Sequence, residues 1–132
     1  MEFSPSSPFS RLRKYLVQLL PLITLFVAAP AYAQAPTVTL TAPADGETYA
    51  IGTSISFTAS ATDVEDDDTT LTSSIAWSSS LDGALAGTGG SISVSTLSAG
   101  THTITASVTD NDSNPGSNAI SVTITNDVPV VT

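Results

Sequence analysis

Two stretches of this chain concentrate oxygen ligands with no His or Cys among them: Asp63-Val64-Glu65-Asp66-Asp67-Asp68 and Asp110-Asn111-Asp112-Ser113-Asn114. Carboxylates, Asn side chains and backbone carbonyls together form the donor set of a hard cation, and calcium takes roughly six to eight such oxygens. A set without imidazole or thiolate selects calcium over transition metals. The candidate metal ligands are therefore Asp63, Glu65, Asp66, Asp67, Asp68, Asp110 and Asp112, with calcium as the implied ion. A self-contained EF-hand-type loop starting at Asp110 fails. Asp110, Asp112 and Asn114 fill its first, third and fifth positions, but Pro115 stands where Gly is required and Ser121 where a bidentate Glu belongs. Any site must be shared between the two stretches. The competing reading is that Asp and Asn here are ordinary turn formers, solvated and without a ligand.

The charge balance makes the question sharper. From Gln34 to Thr132 the chain carries eleven carboxylates and no Lys or Arg. Carboxylates without basic partners stay hydrated, repel one another or find a cation. The same balance excludes nucleic acid and anionic membrane surfaces as partners.

Little else on the chain points to catalysis. His102 is the single histidine, and with no Cys and no identifiable serine nucleophile a triad cannot be assembled. Its parity with Ile104, Ala106 and Val108 turns it inward, as a histidine at the core edge bonded to backbone. Paired carboxylates serve glycoside hydrolysis, but these lie in loops with nothing to predict a cleft around them. The expectation is a protein that is not an enzyme.

The three basic residues, Arg11, Arg13 and Lys14, stand immediately before an apolar run from Tyr15 to Ala29, and Ala31-Tyr32-Ala33 follows as a small-x-small site. This is the layout of a secretory signal peptide over residues 1–33, cleaved before Gln34. Pro21 interrupts the run, which falls short of the roughly 20 residues a spanning helix needs. No membrane insertion is expected after cleavage. The location implied is secreted or at the cell surface.

What remains is a 99-residue chain without cysteine, long enough to fold as one domain over residues 34–127. Apolar residues alternate with Ser and Thr along Thr37–Thr41, Ser54–Ala61, Ile75–Ser78, Ile92–Val94, Thr103–Thr109 and Ile120–Thr125, with a shorter strand near Ala84–Ala86. Period-two alternation makes strands with one buried and one wet face. The segments between them, including 63–70, read as turns. No window has a 3.6-residue apolar period, so no helix is expected. Seven antiparallel strands in about 100 residues predict an all-β, immunoglobulin-like sandwich, with Trp77 in its centre.

The stretch Ile75-Ala76-Trp77-Ser78-Ser79-Ser80-Leu81-Asp82-Gly83, then Gly87-Thr88-Gly89-Gly90-Ser91-Ile92, Leu97-Ser98-Ala99-Gly100-Thr101-His102-Thr103-Ile104 and Val108-Thr109-Asp110, resembles bacterial immunoglobulin-like modules. These are related to polycystic-kidney-disease (PKD) and cadherin-like repeats of secreted and surface proteins. Pro36-Thr37-Val38-Thr39-Leu40 with Pro43-Ala44-Asp45-Gly46 is similar to the usual first strand and turn of such modules. The resemblance implies a non-catalytic structural or adhesive unit, in contact with neighbouring domains, surface proteins or glycans. Cadherin-like and some PKD-like repeats use comparable acidic loops for calcium.

The alternative is a carbohydrate-binding module accessory to a secreted hydrolase, which needs exposed aromatics. Between Gln34 and Asp127 only Tyr49, Phe57 and Trp77 are available, and the last two are expected inward. Residues 128–132, Val-Pro-Val-Val-Thr, resemble the Pro-led opening of the first strand and read as a linker or the start of a following repeat.

Overall fold

The computed structural model describes residues 32–127. The expected export signal, apart from its last two residues, and the segment 128–132 lie outside this range. Eight strands and one short helix follow in the order β1 (Thr37–Ala42), β2 (Glu47–Ala50), β3 (Ile55–Thr62), α1 (Asp68–Ser73), β4 (Ala76–Ser79), β5 (Gly83–Thr88), β6 (Ser91–Val94), β7 (Gly100–Thr109) and β8 (Pro115–Thr125). They form a three-stranded sheet, β1-β3-β6, and a five-stranded sheet, β2-β8-β7-β4-β5.

The alternation read from the sequence closes this sandwich. Ile55, Phe57, Ala59 and Ala61 of β3 face Trp77, Ile104, Ala106, Val108, Val122 and Ile124 of the opposite sheet, all in one buried cluster. The rings of Phe57 and Trp77 stand 6.0 Å apart, tilted by 46°. The Trp77 indole N–H donates to the Gly89 carbonyl at 2.8 Å, so burial leaves no unpaired polar group on the ring. The residues alternating with these, mostly Ser and Thr, are exposed or half-buried, which suits β-branched threonine on a wet face.

Two expectations are corrected. The sandwich has an eighth strand, β2, and it runs parallel to β8, pairing Glu47 with Val122 and Ala50 with Thr125. Four residues with a single apolar alternation are too short to register as a strand in the sequence. After β1 the chain passes the cis Ala42–Pro43 bond and crosses to the other sheet. The segment 63–70 is not turn throughout: α1 begins inside it. Only Leu71 of this helix is buried, so one turn and a half offers no periodicity to detect. Its start is fixed locally, by the Asp67 side chain accepting from Thr70 N at 2.9 Å.

Register determines which loops meet. Thr37 pairs with Thr62, and Thr109 with Pro115. The chain therefore enters β1 at the same end of the sandwich as the β3–α1 and β7–β8 loops. Pro36 is buried there, with its carbonyl so close to Gly116 that a Cβ on that glycine would stand 2.0 Å away. At the other end, Thr125 finishes β8 beside Ala50, and Ile124 lies opposite Gly100.

Candidate functional site

The two acidic stretches do converge. Asn111 N donates to Asp66 Oδ2 at 3.2 Å, and the Asn111 amide donates to Asp66 Oδ1. A small cavity of about 110 Å³ between α1 and the β7–β8 loop is lined by Asp66, Asp67, Thr70, Thr109 and Asn111 among others. Among the described residues, however, no three Asp, Glu or His side chains gather closely enough to hold a metal ion by themselves.

Most of these carboxylates are engaged with backbone. Asp63 Oδ1 accepts from Glu65 N at 2.8 Å in an Asx-type turn, and Asp68 Oδ1 reaches back to accept from Asp63 N at 2.9 Å, closing the loop on itself. Asp67 caps α1 and also accepts from Thr70 Oγ1 at 2.8 Å. The Thr70 hydroxyl and amide hold the Asp67 carboxyl below the ordinary aspartate range. Asp110 Oδ1 accepts from Asn114 N at 2.7 Å and Oδ2 from the Asn114 amide at 3.0 Å. Burial pushes its pKa up, but the Asn114 donors and the backbone amides of Asp112 and Ser113 outweigh burial and leave it lowered. Glu65 Oε2 accepts from Gln34 N at 2.8 Å, and Asp112 is exposed.

One oxygen departs from this pattern. Asp63 Oδ2 is buried and has no hydrogen-bond partner. Asp63 is also among the residues lining a cavity of about 230 Å³, with Gln34, Ala35, Thr37, Thr62 and Val64. A buried, unpaired carboxylate oxygen is costly unless a cation or donor reaches it.

His102 is fully buried at the opposite end of the five-stranded sheet. Its Nε2 lies 2.7 Å from the Ser98 carbonyl, which can only accept, so Nε2 carries the proton. In the neutral ring Nδ1 then accepts from the Ser79 hydroxyl at 2.8 Å. Ser79 Oγ in turn accepts from Leu81 N and Asp82 N, both at 3.3 Å. The arrangement ties the β4–β5 turn to β7. The Ser79 hydroxyl donates a hydrogen bond to the histidine, but both are buried, and the far ring nitrogen is engaged with backbone rather than with an orienting carboxylate. Sequence reasoning finds the histidine through its parity but not Ser79, whose position two residues after Trp77 on β4 is the available signal.

Asp82 bonds Ser98 through both oxygens, at 2.7 Å to the hydroxyl and 2.9 Å to the amide, and these contacts lower its pKa. It is the one carboxylate lining the groove of about 360 Å³ between β5 and the segment Ser93–Leu97. A single carboxylate does not make the pair that glycoside hydrolysis uses. No helix among the described residues is long and apolar enough to cross a membrane.

Comparison with known proteins agrees with this architecture. The fold is similar to that of the fibronectin(III)-like modules of Clostridium thermocellum CbhA, with a TM-score of 0.56 and 21% identity over 69% of this chain. The chain covers 47% of that structure, about half its length. No curated protein matches the chain. The family model for the bacterial Ig domain matches residues 36–106, from just before β1 to the middle of β7, and β8 then completes the sheet beyond the match. The chain belongs to the bacterial Ig domain family, whose members are generally non-catalytic modules.

Proposed function

We propose that this domain is a non-catalytic structural or adhesive module, exported to the cell surface or beyond, that works as a rigid spacer within a multi-domain protein. The observation that supports this best is the position of its ends. Pro36 abuts Gly116 at the start of β8, and the described chain leaves past Thr125 at the end of the same strand. Eleven residues of strand put these points about 30 Å apart. Such a module adds its full length to a string of neighbours instead of folding back on them. Its contacts would be neighbouring domains, surface proteins or glycans.

Calcium at the end where the chain enters belongs to the same reading. Its support is Asp63 Oδ2, the buried orphan oxygen among the described residues, on a residue that lines a cavity with Gln34 and Thr62. With few free carboxylates, water and carbonyls would complete the shell, giving a weak site of the extracellular kind.

The carbohydrate-binding alternative has less to stand on, because Phe57 and Trp77 are in the core and Tyr49 is half-buried and bonded to Glu47. The test is fractionation of the expressed full chain together with glycan-array binding. Exported protein without saturable sugar binding is expected. Saturable binding that Tyr49→Ala abolishes would replace the spacer reading with the carbohydrate-binding one.

A further inference from the structure

The contact between Gln34 and Glu65 acquires a different meaning once the leader is removed. Before cleavage Gln34 N is a neutral peptide amide with one proton, donated to Glu65 Oε2 at 2.8 Å. Hydrolysis of the Ala33–Gln34 bond leaves the new carboxylate on Ala33 and turns this nitrogen into an α-ammonium with three protons and a full charge. Both partners are held in place from outside the contact. Pro36, two residues on, is buried against Gly116, and the backbone of Glu65 is fixed by its amide bond to Asp63 Oδ1. Residues 32–36 belong to no strand and Tyr32 is 88% exposed, so the bond lies in accessible, irregular chain.

We propose that Glu65 is the docking carboxylate for the α-ammonium created at Gln34, so that the exported chain's own N-terminus supplies one counter-charge to its acidic end. The proposal rests on the export reading and on cleavage before Gln34. Its force comes from the charge inventory: between Gln34 and Thr132 there is no Lys or Arg to compete for the carboxylates. The charged side chains of the loop that carries Glu65, and of the loop bonded to it, are all of one sign: Asp63, Glu65, Asp66, Asp67 and Asp68, then Asp110 and Asp112. A charge-assisted bond in that field is stronger than the amide bond it replaces.

Docking also protects the residue. An N-terminal glutamine cyclises when its neutral α-nitrogen attacks the side-chain carbonyl carbon and ammonia leaves, giving an uncharged lactam. A nitrogen held as ammonium on Glu65 has no lone pair for that attack.

The absence of lysine after Lys14 makes the test single-sited, because an amine-acylating reagent can modify only the N-terminus. The full chain and its Glu65→Gln variant are exported from a bacterial host, and intact mass gives the start. At pH 7 the wild-type amine, engaged on Glu65, should acylate severalfold more slowly than that of Glu65→Gln. The two rates should converge in denaturant, where the Glu65 contact is lost. Equal rates at pH 7, or loss of ammonia from folded wild type, would overturn the docking while leaving cleavage intact. A mass that begins elsewhere than Gln34 would overturn the cleavage reading itself.

Discussion

Ser79 Oγ lies 2.8 Å from His102 Nδ1 with both side chains buried, and this pair holds the β4–β5 turn against β7. Ser79→Ala removes the hydroxyl that reaches Nδ1 and strips two backbone amides of their acceptor. A buried acceptor left unpaired costs about 1–3 kcal/mol. Denaturant unfolding should show a loss in that range with an unchanged slope. A loss below about 0.5 kcal/mol, the size of an ordinary surface change, would mean the pair does not hold the turn.

Three carboxyls with lowered pKa values give the domain an acid limit. Asp67, Asp82 and Asp110 are each held ionised by hydrogen bonds from neighbouring donors. A depressed folded-state pKa contributes stability above the unfolded value of about 3.9, and that contribution disappears as pH falls through the folded value. Relief of like-charge repulsion works in the opposite direction between about pH 6 and 4. The melting temperature should therefore hold or rise slightly on mild acidification, then fall below about pH 3.5. Asp82→Asn should flatten the acid limb, since its shift is removed. A limb identical in wild type and variant would show that Asp82 takes no part in it.

Trp77 carries the core. Its ring packs on Phe57 and its indole N–H satisfies Gly89, so Trp77→Ala should cost about 3–5 kcal/mol and leave little folded protein. Trp77→Phe separates packing from the hydrogen bond. It should remain folded and lose about 1–3 kcal/mol from the unpaired Gly89 carbonyl. If Trp77→Ala melts like wild type, the indole is not the centre of the sandwich.

What the sequence disclosed follows from how each feature is encoded. The inward faces of β3, β7 and β8 are written in local alternation, so the parity of Phe57, His102 and Val122 alone assigns them to the interior. The convergence of Asp66 with Asn111 was legible only through the sandwich topology, which brings the two loops to one end. Three things were not legible. β2 owes its existence to pairing with β8, a long-range event without a local pattern. The helix α1 rests on one cap and one buried residue, Leu71. The fate of each carboxylate depends on which amide faces it, which no spacing rule specifies. Asp63 and Asp110 are both first residues of acidic runs, yet the two oxygens of Asp110 are satisfied and one oxygen of Asp63 is not.

That difference makes Asp63 the residue on which calcium binding can be judged. Asp110→Asn would disturb the β7–β8 loop whether or not an ion binds, because Asn114 relies on both of its oxygens. Asp63→Asn keeps an oxygen for Glu65 N and removes only the charge behind the orphan atom. In chelator the variant should be at least as stable as wild type, since a buried, unpaired ionic oxygen has been neutralised. In about 1 mM calcium the order should reverse. A site with a dissociation constant of about 0.1–1 mM stabilises wild type by about 0.4–1.4 kcal/mol, and the variant gains none of it. Thermal melts of both proteins in chelator, in calcium and in sodium chloride of matched ionic strength would check this crossing. Parallel responses of the two proteins, or an equal response to sodium chloride, would reduce calcium to a screening ion at a solvated loop.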